Sequence, residues 1–183
     1  MKDALAIHRE LLGRGVPHEI VRLRRIVLTA DELPEALGLS AGHCVAVRMY
    51  DADGQLTALC VPAGATPAPS AVLAVTGARR IGLAAVDRVN ATTEFAAGLV
   101  APLLLPGDVP VIVDASLASR EVLYTPTGES GTALGIHARD LLTVTGARVA
   151  SLLTPAAPDL VDISLDLETD LRRLLPPEAT SGR

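Results

Sequence analysis

The sequence predicts an α+β protein with a compact, mixed and largely antiparallel sheet against which helices pack. Short apolar runs typical of strands alternate irregularly with amphipathic segments, so the chain lacks the regular βαβ repeat of a parallel sheet. Two apolar runs flank Asp51-Ala52-Asp53-Gly54, a pattern typical of an antiparallel hairpin. Because 49% of residues are hydrophobic and only 2% are aromatic, we expect a core of alanine, valine, leucine and isoleucine.

In the first half of the chain, amphipathic spacing predicts a helix over 3–12, with Leu5, Leu11 and Leu12 facing inward. The stretch from Thr29 to Glu32 matches a capping box, so a second helix begins there. The other elements expected in this half are strands over 18–24, 44–50, 55–61 and 81–84, the second helix over 30–37, and a helix over 70–76.

The second half contains the clearest strand candidate, residues 109–114, because its valines and isoleucine favour extended structure. Gly146 is placed to end a helix over 138–145, as glycine commonly does after a last helical turn. Further strands are expected over 121–125, 133–136 and 148–153. Beyond Leu153 the composition becomes proline-rich, so we expect one domain over 1–153 and a linker with a C-terminal extension over 154–183.

Charge and patterning exclude several classes of protein. The net charge is −5, and Lys2 is the single lysine among 16 lysine and arginine residues, which argues against a self-sufficient binder of polyanions. The longest uncharged stretch, residues 55–78, is interrupted by prolines and glycines, so it does not predict a membrane helix. Charges near Met1 leave no apolar run for a signal peptide, and Cys44 and Cys60 lack paired spacing. We therefore expect a soluble, cytoplasmic protein with no membrane association.

No motif predicts a metal or a cofactor. The four histidines are far apart in the sequence, and His43 and Cys44, as neighbours on a strand, point to opposite faces. A phosphate-binding loop needs a Gly-Lys-Ser/Thr element, which a chain whose only lysine is Lys2 does not contain. We expect no cofactor and no metal ligands.

The segment from Thr93 to Pro102 places Gly98 four residues before a proline within an apolar loop. Glycine lets a ligand approach the backbone closely, and proline stiffens the chain. Exposed amides of a rigid loop can bind a carbonyl or an oxyanion. On the motif alone, a turn without a binding function is an equally good interpretation.

The order of several short motifs is more informative than any one of them. In sequence they are Leu37-Gly38-Leu39, the strand from Cys44, the Gly54 hairpin, Gly77-Ala78-Arg79-Arg80, the Gly98 segment, residues 109–114, Asp140-Leu141-Leu142 and residues 145–150. This order resembles the YbaK-type aminoacyl-tRNA deacylases, relatives of the prolyl-tRNA synthetase editing domain, over residues 3–153. The resemblance implies an α+β fold and metal-free hydrolysis of the ester between a wrong amino acid and tRNA. It also implies the aminoacylated acceptor end of tRNA as substrate and an aminoacyl-tRNA synthetase as a partner.

The resemblance also implies where the site lies, and here this chain departs from the family. The strand after Leu-Gly-Leu normally carries a lysine followed by threonine or serine, but this chain has Ala46 followed by Val47. Arg48 lies two residues on, hence on the same strand face, and we expect it to supply the positive charge. Gly98 would bind the oxyanion. The residues expected to line the substrate pocket are Ala46, Thr93, Ala101, Pro102, Ala133 (where some members carry an acid) and His137.

Three hypotheses remain open at this stage. The chain is a deacylase with an atypical pocket, in which Arg48 and Gly98 are the catalytic residues. Alternatively, it is a catalytically inactive relative that binds an aminoacyl group, a small ligand or a partner protein. In the third hypothesis it is an unrelated α+β domain, in which Gly98 and Pro102 form only a turn.

Overall fold

A computed structural model describes residues 1–153, and the linker and extension expected over 154–183 lie outside the described residues. The helices are α1 (Ala4–Gly13), α2 (Leu33–Leu37), α3 (Pro69–Thr76), α4 (Val86–Thr93), α5 (Ala115–Ala118) and α6 (Ala138–Thr145). The strands are β1 (His18–Arg22), β2 (Val45–Ala52), β3 (Gln55–Pro62), β4 (Ile81–Leu83), β5 (Val111–Asp114), β6 (Val122–Pro126), β7 (Thr132–His137) and β8 (Arg148–Ala150). Short 3-10 turns cover Ala30–Glu32, Ala41–His43 and Ala97–Leu99.

The strands form two sheets. The larger is mixed, in the order β4-β2-β3-β5-β8, with β5 parallel to both of its neighbours. The smaller is antiparallel, in the order β1-β7-β6, and a bridge between Cys44 and Tyr124 joins it to the start of β2. This confirms the predicted α+β class, with the mixed and antiparallel pairings divided between two sheets rather than combined in one.

The hairpin of β2 and β3 forms where the sequence predicts it. Its two turn residues, Asp53 and Gly54, have φ angles of 51° and 95°, as a type I′ turn requires. The register then runs without a bulge from Ala52 opposite Gln55 to Val45 opposite Pro62. Because side chains alternate along a strand, this register fixes which residues of β2 face each side of the sheet.

The buried face of helix α1 differs from the face that the sequence predicts. Its buried residues are Ala4, Ile7 and Leu11, which have helical spacing. Ile7 and Leu11 belong to the largest cluster of buried apolar side chains, which we call the main core. Leu5 and Leu12 are 51% and 64% exposed, so the prediction that they face inward is wrong. The prediction considered only the leucines and did not include Ile7, which lies in the middle of the buried stripe.

Two helices were not predicted from the sequence. Helix α4 has only two buried residues, Val89 and Thr93, and its β-branched residues are weak helix formers. Helix α5 has four residues and is capped at its N-terminus by Asp114, whose carboxylate accepts the Ser116 amide. Among residues 1–153, no helix is both long and apolar enough to cross a bilayer.

Candidate active site

Three of the sequence segments singled out above meet in one cluster of buried side chains. Ala46 on β2, Ala133 on β7 and Leu99, which follows Gly98, are 0%, 0% and 5% exposed and belong to the same cluster. We call it the Ala46 cluster; its buried members are Leu23, Val27, Ala30, Leu33, Ala36, Cys44, Ala46, Ala63, Leu99 and Ala133. The lining is therefore apolar and built mainly from small side chains.

The cluster is covered by residues 23–33, which we call the covering segment. Leu23 and Val27 contribute apolar side chains, and their amides donate to the carbonyls of Gly131 and Ser130 at 2.9 Å. The Glu32 carboxylate accepts the amides of Leu28 and Thr29 at 3.0 Å, which completes the capping box that the sequence predicts. Together with the other members of the cluster, the covering segment surrounds Ala46, which has no solvent contact.

Gly98 lies on the rim of the Ala46 cluster and is exposed. A Cβ atom at this position would lie 2.6 Å from the Leu28 carbonyl oxygen, so the close approach of the covering segment itself requires glycine. Among the described residues, the Gly98 amide donates to no backbone or side-chain acceptor. An unpaired N–H on an exposed residue beside an apolar cluster can donate a hydrogen bond to a ligand's carbonyl oxygen.

The chain changes direction at Leu99. Leu99 packs in the Ala46 cluster, whereas Val100 and Ala101 are buried in the main core. Pro102 lines a different cavity of about 420 Å³, which it shares with Lys2. Ala101 and Pro102 thus anchor the loop on its far side and lie away from the Ala46 cluster.

Thr93 is fully buried, and its hydroxyl is used within the fold. Its Oγ1 donates to the Val89 carbonyl at 2.8 Å and accepts the Phe95 amide at 3.1 Å. These bonds lie within the end of α4 and use the one proton that the hydroxyl could donate to a ligand.

Arg48 lies on the same face of β2 as Ala46, as strand alternation predicts, but its charge is engaged. The guanidinium donates to Asp31 Oδ1 at 2.7 Å and to the Ala65 carbonyl at 3.2 and 3.3 Å. Asp31 also accepts the Gly64 amide at 2.6 Å. The pair ties the covering segment to the large sheet, with the Arg48 side chain 26% exposed.

The pKa of Asp31 reflects this setting. Partial burial raises the pKa, but the Arg48 and Gly64 hydrogen bonds and the Arg48 charge outweigh burial and lower the pKa below its ordinary value. The carboxylate is therefore ionised, and opposite charge faces Arg48 across the neutral pH range.

His137 lies on the same face of β7 as Ala133, but four residues further along. At about 3.3 Å per residue, that separates the two positions by roughly 13 Å along the strand. The imidazole Nδ1 is 3.3 Å from the Glu121 carbonyl oxygen, and the ring lines a shallow cavity with Pro17 and His18. The structure does not bring His137 to the Ala46 cluster.

Two titratable groups at the cluster were not predicted as site residues. Burial raises the pKa of the Cys44 thiol to about 11, so the thiol is protonated at neutral pH. Burial, and then the hydrogen bond and charge of Glu19, raise the pKa of Tyr124, whose hydroxyl donates to the Glu19 carboxylate at 3.1 Å. Neither group is a nucleophile in this setting.

The covering segment was not predicted from the sequence. A signal for it exists, because Leu23, Val27 and Ala30 are apolar at spacings of four and three before the capping box. Within residues 1–153, no group of three or more histidine, cysteine, aspartate or glutamate side chains is arranged to hold a metal ion. The side chains of the Ala46 cluster offer apolar contacts, and the backbone at its rim offers amide and carbonyl dipoles.

Comparison with known proteins gives matches at the levels of family and fold. A family model described as "Aminoacyl-tRNA editing domain" matches residues 26–144, which include Ala46, Gly98, Ala133 and the covering segment from residue 26 onward. No curated protein matches the chain significantly.

Solved structures share the fold at low sequence identity. The "hypothetical protein APE2540" superposes with a TM-score of 0.74 at 24% identity, over 80% of this chain and 97% of that one. A structure described as "a putative trans-editing enzyme for prolyl tRNA synthetase" has a TM-score of 0.72 at 23% identity, over 81% of this chain and 94% of that one. A "Putative signal transduction protein" from Marinobacter aquaeolei VT8 has a TM-score of 0.61 at 16% identity, over 98% of this chain and 38% of that one.

The family match spans more than half of the chain, and the fold agrees with it. As its resemblance to the YbaK-type deacylases predicted, the chain belongs to the family of aminoacyl-tRNA editing domains.

Proposed function

We propose that the protein is a metal-free aminoacyl-tRNA deacylase, which hydrolyses the ester between a wrong amino acid and the tRNA acceptor end. The observation that carries this proposal is the N–H of the exposed residue Gly98 on the rim of the Ala46 cluster, which has no hydrogen-bond acceptor among residues 1–153. The family membership supplies the substrate class, and the site supplies a place for the aminoacyl carbonyl.

Hydrolysis of an aminoacyl ester needs few catalytic side chains. An aminoacyl ester is already activated, so the protein mainly needs to hold the carbonyl, admit a water molecule and stabilise the oxyanion that forms when water adds. The Gly98 N–H would donate to that oxygen as its negative charge develops. The tRNA hydroxyl leaves as the tetrahedral intermediate collapses to the free amino acid.

The lining selects the aminoacyl group by polarity. Ala46, Ala133, Ala30 and Ala63 present methyl groups to the cluster, and burying an unpaired charge among them is costly. We therefore expect substrates with small apolar side chains. Because Ala46 has no solvent contact, the covering segment has to move for the amino acid to reach it.

Arg48 enters this proposal through Asp31. A guanidinium paired at 2.7 Å with a carboxylate is a weak source of positive charge, but the pair holds the covering segment against β2. When the segment moves, the pair separates and the Arg48 charge becomes available beside the pocket. Arg48→Ala then removes both the charge and the tie.

The second candidate function is binding without hydrolysis. The observation favouring it is the alanine at position 46, buried and apolar where the family carries a lysine. A relative of this kind would hold an aminoacyl group, a small ligand or a partner protein at the same cluster. An aminoacyl-tRNA synthetase would be the partner that brings an acidic chain to tRNA.

A deacylation assay separates the two candidates. The full chain is incubated with a panel of mischarged tRNAs, alone and with the synthetases that charge them, and ester loss is compared with the uncatalysed rate. The proposal predicts turnover of tRNAs that carry small apolar amino acids. Binding of these tRNAs without turnover of any of them would favour the inactive relative.

A further inference from the structure

The only lysine of the chain lies at the base of the loop that carries Gly98. We define this Gly98 loop as residues 94–104, between α4 and the approach to β5. The Lys2 Nζ donates to the Thr93 carbonyl at 3.1 Å and to the Leu104 carbonyl at 2.6 Å. One amine therefore joins Thr93, directly before the loop, to Leu104, its last residue, 11 positions further along the sequence.

Both ends of the Gly98 loop have unusual backbone conformations. Glu94 and Leu104 have φ angles of 62° and 59°, in the left-handed region that non-glycine residues rarely occupy. Such conformations persist when surrounding contacts hold them in place. Lys2 supplies contacts at both ends: its backbone amide donates to the Glu94 carbonyl at 2.9 Å, and its side chain donates to the Leu104 carbonyl.

The chemistry of the site fits an ammonium group. Its three donors meet two carbonyl oxygens and the Glu94 carboxylate, whose Oε2 lies 3.3 Å away. The amine also lies 5.7 Å from the centre of the buried Phe95 ring. Gly128, where a Cβ atom would lie 2.6 Å from the Lys2 carbonyl oxygen, permits the close packing that holds the backbone of residue 2.

We infer that Lys2 is a positioning residue: it bridges the two ends of the Gly98 loop and thereby sets where the Gly98 amide points. This inference rests on the proposed function only for its catalytic consequence. Lys2 therefore does not take the place of the lysine that the family resemblance implies on strand β2. Lys2 touches no reacting atom and acts through the loop.

The test compares three variants of the full chain. Lys2→Met removes the donors and keeps most of the side-chain bulk, whereas Lys2→Arg keeps the charge and several donors. Arg14→Met is the matched control, because Arg14 lines the same cavity but forms its ion pair with Glu10, at 2.6 Å. For each variant, amide hydrogen exchange is measured along the whole chain, together with the melting temperature.

Lys2→Met is expected to speed exchange in residues 95–103 by roughly 10-fold or more, with smaller changes elsewhere in the domain. Lys2→Arg is expected to restore most of the protection, and Arg14→Met to leave the loop unchanged. Loop exchange in Lys2→Met that equals the parent's, or that rises equally throughout the domain, would overturn the inference.

Activity gives the second readout. With a tRNA that the parent deacylates, Lys2→Met is expected to lower kcat by about 10-fold, because a displaced amide loses the oxyanion. KM is expected to stay within about 2-fold, since binding of the tRNA body is unaffected. Unchanged kcat per folded molecule would reject the positioning role. If the parent deacylates no tRNA, the proposed function fails, and hydrogen exchange alone decides the role of Lys2.

A chemical experiment covers the case in which Lys2→Met does not fold. Reductive dimethylation of the folded protein leaves the Lys2 amine charged but with a single N–H donor for its three oxygen partners. The N-terminal amine reacts too. The control is therefore the same treatment of Lys2→Arg, in which the N-terminal amine is the one primary amine left. Faster loop exchange in the treated parent but not in the treated control is expected, and equal exchange in both would contradict the bridge.

Discussion

The Arg48 guanidinium and the Asp31 carboxylate form an ion pair, 2.7 Å between nitrogen and oxygen, that ties strand β2 to the covering segment. Asp31 accepts the Gly64 amide as well, so one carboxylate holds three parts of the chain together. The residue expected to act on substrate is therefore also the residue that helps keep the Ala46 cluster closed.

This relationship predicts an acid-sensitive contribution to stability. The pKa of Asp31 is lower in the folded protein than in the unfolded chain, so the folded state binds fewer protons between the two values. The contribution is present in full above the unfolded pKa of about 3.9 and is lost as the pH falls through the folded pKa. Melting temperatures from pH 7 down to pH 2 should show this loss in the parent and a smaller one in Asp31→Asn.

The control for that measurement is Asp108→Asn, because Asp108 is exposed and its side chain forms no ion pair among the described residues. Its acid profile should follow the parent's. Identical profiles for Asp31→Asn and the parent would show that the ion pair contributes nothing to the pH dependence.

Restoring a lysine on β2 should destabilise the protein. Ala46 is fully buried among apolar side chains, so Ala46→Lys adds volume and places an amine where burial lowers its pKa. Ala46→Met adds a similar length without the charge and isolates the cost of overpacking, about 1–3 kcal/mol. Denaturant unfolding should rank the stabilities as parent, then Ala46→Met, then Ala46→Lys.

The same variant bears on activity. If the parent deacylates tRNA without a lysine on β2, Ala46→Lys should not raise the rate. An inactive parent together with turnover by Ala46→Lys would instead establish that the chain is a family member that lost catalysis with that side chain.

Neither cysteine should take part in catalysis. Burial raises the pKa of Cys44 to about 11 and that of Cys60 to about 12, so both thiols stay protonated at pH 8. Labelling of the native protein with a maleimide should be slow and should accelerate when urea unfolds it. Cys44→Ala should keep deacylation within about 3-fold of the parent, since no thiolate attacks the ester. Rapid native labelling of Cys44, or activity abolished in Cys44→Ala at unchanged stability, would contradict this.

Strand alternation predicted correctly that Ala46 and Arg48 share a face of β2, because a period of two is local and is fixed by the Asp53-Gly54 turn. In the structure His137 shares a strand face with Ala133, but alternation gives no distance, and four residues of extended chain carry His137 out of reach. Strand periodicity thus predicts the face of the sheet on which a side chain lies. Whether side chains from different strands meet at one site depends on how the two sheets pack together.

The ion pair of Arg48 with Asp31 shows the same limit. The capping box predicted the turn that contains Asp31, yet the direction of its carboxylate depends on packing between the covering segment and a strand 17 residues away. Glycine at position 98 is comparable. The sequence predicts that this glycine leaves the backbone accessible to a ligand. In the structure, the Leu28 carbonyl lies so close to Gly98 that this contact by itself requires glycine there.

The central claim, that the Gly98 loop carries the reaction, is tested most directly by comparing two glycine variants in the deacylation assay. Gly98→Ala moves the loop, because its Cβ would lie 2.6 Å from the Leu28 carbonyl oxygen, whereas Gly107→Ala meets nothing within 4 Å. With melting temperatures used to correct for the folded fraction, Gly98→Ala should lower kcat on the order of 10² and Gly107→Ala should match the parent. Equal turnover by Gly98→Ala and Gly107→Ala would contradict the account.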